Sequence, residues 1–380
     1  MKIRQLLTTS TTLVAVGVLT TPMARADGIE LGVGGYMNNF FAVGDVDSDS
    51  AASPGTDGSG DFNESGLFSD GEIHFQGEAT LDNGLTVGAQ VELESFTSGD
   101  QIDENYAYVR GSFGAVRLGS DNTAAYLMQF TAPNVGVPIN TGWVTPFVAL
   151  PGNHSAQFRH PGLSTYVDFG NDENTVTYFT PRFAGFQLGA SYTPTFSGTG
   201  DGANFPTNRI GAEGNDGVSV GANYVETLAN VDVSVAAGYR SVLDENPATF
   251  GDVPEQYSAG INLGYAGFTI GGSWALEESE LPNGADAPTD GQSFDLGASY
   301  SFGAWSVGAT WFYSESEGGN VRSGTGNSGE DELNAIEGGV EYSLGPGVTT
   351  SFSVLYANIE EEGGIENEGV LGIGGLSLSF

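Results

Sequence analysis

The sequence predicts an all-β fold: a closed antiparallel barrel of sixteen strands that crosses a membrane. Three observations predict it. Apolar and polar residues alternate with period 2 through most of the 380-residue chain, without helical amphipathicity. The connections between the alternating segments divide into very short turns and long acidic loops, which take turns along the chain. The chain ends on an aromatic residue, in Leu376-Ser-Leu-Ser-Phe380, with no polar tail.

The first residues predict export. Lys2 and Arg4 form a basic start, Leu6 to Leu19 is a Thr-diluted apolar stretch, and Ala24-Arg25-Ala26 is a small-x-small site. Residues 1–26 therefore read as a signal peptide cut before Asp27, leaving 27–380 as the mature domain. No later stretch approaches the ~18 to 20 consecutive apolar residues of a transmembrane helix.

Composition excludes several functions. The chain has no cysteine, so thiol catalysis and metal-thiolate sites are out. Its net charge is −38, and loss of Lys2, Arg4 and Arg25 leaves 48 acidic residues against 7 arginines, or −41. Nothing on such a chain would neutralise phosphates, so no nucleic-acid partner is expected. Disorder, the usual reading of acidic excess, fits poorly with 42 aromatic residues.

Each strand justifies itself by its alternation. In 72–81, Ile73, Phe75, Ala79 and Leu81 point one way while Glu72, His74, Gln76 and Glu78 point the other. Asp82-Asn-Gly84 is a tight turn, and Leu85, Val87, Ala89, Val91 and Leu93 resume the pattern. Comparable faces are Phe186 to Tyr192, Val218 to Tyr224, Val231 to Tyr239, Tyr257 to Tyr265, Phe268 to Leu276 and Phe294 to Phe302. The last four are Trp305 to Tyr313, Ile336 to Leu344, Phe352 to Tyr356 and Val370 to Phe380. The long loops are expected at about 42–68, 121–172, 194–215, 242–254, 278–291, 316–331 and 360–369. Tyrosines near the segment ends suit interfacial girdles, and the polar face suits a water-filled lumen, because sixteen strands are too many for side chains to fill the interior.

The segment 121–172 is unlike the other loops. It is longer, less acidic and more apolar, and it carries no charged residue from 122 to 158. Such a loop is expected to fold against the barrel wall and narrow the lumen.

Here the chain resembles the general-diffusion porins of Gram-negative bacteria, of the alphaproteobacterial kind. The most specific pieces are Glu104-Asn-Tyr-Ala-Tyr-Val-Arg-Gly-Ser-Phe-Gly-Ala-Val-Arg-Leu-Gly119, Asn174-Thr-Val-Thr-Tyr-Phe-Thr-Pro-Arg-Phe-Ala-Gly-Phe-Gln-Leu-Gly-Ala-Ser-Tyr192 and the terminal strand. The resemblance implies a homotrimer, a third loop folded inward as the constriction, and passive diffusion of small hydrophilic solutes and ions. It implies an outer-membrane location among lipid and lipopolysaccharide, with Phe380 as the signal for the barrel-insertion machinery. It also implies a constriction that sets acidic loop residues against wall arginines. By alternation, Glu104, Arg110 and Arg117 face the lumen; Arg159 lies in the returning half of the loop, with Asp121 opening it and Asp168 near its end. The uncharged middle of the loop departs from the family pattern, so lumen carboxylates are sought instead at Glu72, Glu78, Glu92 and Glu94.

Carboxylate excess and absence of mature lysine favour cations. A substrate-specific channel is the alternative. A surface or adhesion barrel with Ca²⁺ in its acidic loops is a third reading, with Asp45, Asp47 and Asp49 as candidate ligands, although no EF-hand spacing occurs. No other cofactor and no catalysis are expected: His74, His154 and His160 are the only histidines, and no hydrolase or metal-histidine motif is present.

Overall fold

The computed structural model describes residues 28–48, 63–96, 102–149, 163–167, 171–196, 214–245, 252–280, 290–317, 330–361 and 365–380. The predicted signal peptide therefore lies outside the described residues.

Sixteen antiparallel strands form one closed barrel. They are β1 (Glu30–Ser48), β2 (Ser65–Thr80), β3 (Thr86–Glu94), β4 (Ile102–Gly111), β5 (Gly114–Ser120), β6 (Asn174–Phe179), β7 (Phe186–Phe196) and β8 (Gly214–Leu228). The second half comprises β9 (Val231–Glu245), β10 (Asp252–Tyr265), β11 (Phe268–Glu280), β12 (Gly291–Phe302), β13 (Trp305–Glu317), β14 (Glu330–Gly345), β15 (Val348–Glu361) and β16 (Ile365–Ser379). One short helix, α1 (Ala124–Leu127), follows β5. Every strand pairs with its sequence neighbours, and β16 closes the sheet on β1 with Tyr36 opposite Ser379 and Ser48 opposite Asn367. Phe380 completes the closure: its carbonyl accepts from Gly35 N at 2.9 Å and its N–H donates to Gly35 O at 3.0 Å.

The outward phase is apolar and exposed, as at Phe75, Leu118, Leu188, Ile270, Leu296, Ile336, Phe352 and Val370. A closed barrel satisfies every ladder bond internally, so this face can meet hydrocarbon. Aromatic pairs border it. Near the short turns, the Phe268 and Tyr300 rings stack at 4.2 Å and Trp305 meets Tyr342 at 4.6 Å. Toward the long loops, Tyr239 meets Tyr257 at 5.1 Å and Trp311 meets Tyr313 at 6.2 Å. Along β13 the belts fall at Trp305 and Tyr313, close to the ~9–11 residues with which a tilted strand spans the bilayer.

Two expectations need correction. First, the strands run further than the hydrophobic alternation does. Asp45 and Asp47, expected in the 42–68 loop, belong to β1 and pair with Val370 and Glu368 on β16. The ladder continues above the apolar band, where lipid no longer selects the side chains. Second, the inner face is not polar throughout. Phe40 and Ala42 on β1, Phe312 on β13, Leu333 and Ala335 on β14, Leu355, Ala357 and Ile359 on β15, and Leu371 and Ile373 on β16 point inward and are buried in one cluster.

Candidate functional site

That cluster is half of an interface; the other half is the segment after β5. Val137, Ile139, Val144, Phe147 and Val148 pack into it. Trp143 meets Phe40 and Phe68 edge-on, at 5.5 and 5.3 Å. The loop is apolar because it has its own core, built against the inside of β13–β16 and β1.

Its backbone is pinned along the wall strand by strand. Ala124 N donates to Ser191 Oγ of β7 at 2.8 Å, and Ala125 N to Ser219 Oγ of β8 at 3.0 Å. Ser258 Oγ of β10 donates to Gln129 Oε1 at 3.1 Å, and Asn262 Nδ2 of the same strand donates to Thr131 O at 2.9 Å. Ala132 N reaches Asp295 Oδ1 of β12, and Thr310 Oγ1 of β13 donates to Pro133 O at 2.7 Å. Gly136 N donates to Glu341 Oε1 and Val137 N to Glu337 Oε1, both on β14. Asn367 Nδ2 of β16 holds Ala149 O at 2.7 Å. Inner-face glycines admit this close approach: a Cβ at Gly260 would lie 1.7 Å from Phe130 O, and one at Gly339 would lie 2.0 Å from Val135 O.

The lumen left open runs along β1–β6 and the free side of the loop, a cavity of about 1890 Å³. Its wall is acidic. Asp70, Glu72 and Glu78 from β2, Glu92 from β3, Asp103 and Glu104 from β4, and Asp121 after β5 all line it, together with Arg110 and Arg117. Two consecutive residues of β4 face inward because the β3–β4 register shifts between Val91 and Leu93, where a bulge sets Asp103 and Glu104 against Glu92. The loop side presents Tyr126, Phe130, Trp143 and Tyr166.

Both arginines are engaged. Arg110 pairs with Glu78, which also accepts from Tyr108 Oη at 2.7 Å. Arg117 pairs with Asp121 at 2.9 Å and lies over the Tyr106 ring at 4.8 Å. Burial pushes the Asp121 carboxyl above its ordinary range, while Arg117 pulls it down. Tyr166, buried in the loop, has its phenol pushed up to about 12, chiefly by burial. Glu104 is buried, and Asn122 Nδ2 donates to its Oε1 at 2.5 Å.

The structure thus brings Glu72, Glu78, Glu92, Glu104, Arg110, Arg117 and Asp121 to one side of the lumen. Glu94 stands within ligand distance of Glu72 and Asp103 at its edge. Arg159, Asp168 and Asp49 lie outside the described residues. Asp45 and Asp47 are exposed on the outward phase of β1, and among the described residues neither belongs to a metal-capable group. The carboxylates stand on the β2–β4 wall together with Arg110 and Arg117, and the described part of the loop facing them is uncharged between Asn122 and Ala149. Sequence reasoning missed Asp103, which simple alternation turns outward, and His74, whose alternation was visible but whose carboxylate neighbours depended on register.

The sequence profile of Gram-negative porins matches residues 10–363. The chain belongs to the Gram-negative porin family. Among curated proteins, an uncharacterized protein of Rickettsia conorii is 26% identical over 165 residues, covering 38% of this porin and 37% of its own length. One of Rickettsia typhi is 25% identical over 206 residues, covering 49% and 44% respectively. The porin spans less than half the length of these two curated relatives. Among solved structures, a loop-L8 deletion mutant of the outer-membrane protein OmpT of Vibrio cholerae matches 93% of this chain and 100% of its own, with TM-score 0.60 and 13% identity. An anion-selective porin from Comamonas acidovorans matches 93% and 99%, with TM-score 0.56 and 15% identity. In-vitro folded Vibrio OmpT in a trimer form matches 93% and 100%, with TM-score 0.55 and 13% identity. At these identities the likeness is one of fold.

Proposed function

We propose that this outer-membrane porin is a passive diffusion channel for small hydrophilic solutes and ions, with a preference for cations. One observation carries the preference: among the described residues the cavity is lined by eight carboxylates, the seven above and Glu30, against three arginines, Arg110, Arg117 and Arg182. Two of those arginines are already paired with carboxylates, so the wall keeps a negative surplus that concentrates cations. The anion selectivity of the Comamonas protein, which shares only the fold, does not bear on it. Reversal potentials across a planar bilayer under a salt gradient test the proposal. A cation-selective potential is expected, and an anion-selective one would refute it.

A second reading, a substrate-specific channel, is favoured by the uncharged loop face, where the Tyr126 and Tyr166 rings lie 4.6 Å apart. Block of the conductance by micromolar amounts of a single sugar or organic acid would establish it. The proposal includes export by cleavage after Ala26, recognition of the terminal strand by the insertion machinery, and assembly as a homotrimer. Gly372 and Gly374 support the last point, since they flatten the outward face of β16. Conductance closing in three equal steps is the expected signature of a trimer.

A further inference from the structure

On the acidic wall a histidine sits between two glutamates. Glu72 and His74 are two apart on β2 and share its inner face. Across the ladder His74 stands opposite Glu92, and Glu72 opposite Glu94. His74 Nε2 is 2.7 Å from Glu72 Oε2 and 3.1 Å from Glu92 Oε2. The remaining oxygens of both carboxylates are held from behind. Tyr36 Oη donates to Glu72 Oε1 at 2.8 Å, and Gln90 Nε2 donates to Glu92 Oε1. Each carboxylate is thereby turned so that one free oxygen converges on the same imidazole nitrogen, which is the outer-shell orientation that metal ligands require.

Charge points the same way. Asp103 joins Glu72 and Glu94 in a second group whose oxygens approach within 4.8 Å, so Glu72 is shared by both groups. His74 is 3% exposed and its Nδ1 has no hydrogen-bond partner. Glu104, on the same bulge as Asp103, is 7% exposed and leaves Oε2 without one. A single imidazolium offsets one charge where several carboxylates crowd together; a divalent cation offsets two.

We propose that Glu72, His74 and Glu92 form a divalent transition-metal site in the channel wall. An imidazole nitrogen with two carboxylates suits Zn²⁺ and its neighbours rather than Ca²⁺ or Mg²⁺, which take oxygen ligands. Three protein ligands leave the fourth position of a tetrahedral ion to water on the lumen side. A bound cation would cancel part of the acidic wall and lower the cation preference of the pore. That consequence, unlike the binding itself, rests on the function proposed above.

The test uses the untagged, folded barrel carrying His154→Ala and His160→Ala, in which His74 is the only histidine. Isothermal titration with ZnCl₂ in detergent, under excess Mg²⁺, is expected to give one Zn²⁺ per chain. X-ray absorption at the zinc edge is expected to find one imidazole nitrogen among the ligands. Adding His74→Gln or Glu92→Gln is expected to weaken binding by at least about tenfold. Absence of saturable binding, an oxygen-only shell, or unchanged affinity in Glu92→Gln would overturn the site. The shell is read in the His74-containing protein, so a misfolded His74→Gln variant would not rescue the idea. In bilayers, micromolar Zn²⁺ is expected to shift the reversal potential of the parent barrel toward zero and to leave Glu92→Gln unmoved. Zinc binding without that shift would refute the channel consequence alone.

Discussion

Gly260→Ala tests whether contact with the wall fixes the constriction. The new Cβ would stand 1.7 Å from Phe130 O, whereas real Cβ contacts essentially never fall under 3.0 Å. The loop backbone must therefore retreat by at least about 1.3 Å, the difference between those distances, and Phe130 borders the open lumen into which it can move. The move pulls on two adjacent anchors, Asn262 Nδ2 to Thr131 O and Ala132 N to Asp295. Overpacking of this kind costs about 1–3 kcal/mol, and each weakened hydrogen bond adds about 1 kcal/mol. Single-channel recording should show a smaller conductance, and denaturant titration an earlier midpoint. Gly66→Ala is the control, because nothing lies within 4 Å of its Cβ position. If Gly260→Ala conducts and unfolds like Gly66→Ala, the loop is not seated on β10 and the account of the constriction fails.

Phe40→Ala removes the ring that meets Trp143 and Phe147 and should cost about 3–5 kcal/mol, read as an earlier denaturant midpoint, with unsteady single-channel current. Asp121→Asn removes the carboxylate paired with Arg117, so at neutral pH the variant should be less cation-selective than the parent. Burial raises the Asp121 carboxyl, so acidification should neutralise it above the usual aspartate range and close that difference; a gap that persists at low pH would contradict the pairing. Deleting Phe380 removes two hydrogen bonds of the β1–β16 seam, about 1 kcal/mol each, and should lower the yield of heat-modifiable barrel on gels.

The membrane-facing half of the design was legible because lipid imposes a strict rule. Phe75 outward and Glu72 inward follow from period 2 alone, and so do Glu104, Arg110 and Arg117 on the lumen side. The inner face obeys no such rule. Val354-Leu355-Tyr356-Ala357 and Val370-Leu371-Gly372-Ile373 are apolar on both phases, a sign of strands buried on both faces that alternation scoring passes over. Asp103 was hidden by a one-residue bulge, which reverses the side predicted for every residue counted across it. The acidic strand ends, such as Asp45 and Glu330, read as loop because periodicity stops where lipid stops, while hydrogen bonding does not.

The packing of residues 137–148 on the terminal strands constrains the order of assembly. Leu371 and Ile373 belong to the last strand made, yet their inner faces are covered by a segment from the first half of the chain. A barrel that closed with that segment elsewhere would hold a bare hydrocarbon patch against trapped water. The segment cannot easily be threaded in afterwards through the finished sheet. Sealing the wall and setting the aperture are therefore one event, so a chain that has joined β16 to β1 already carries its filter.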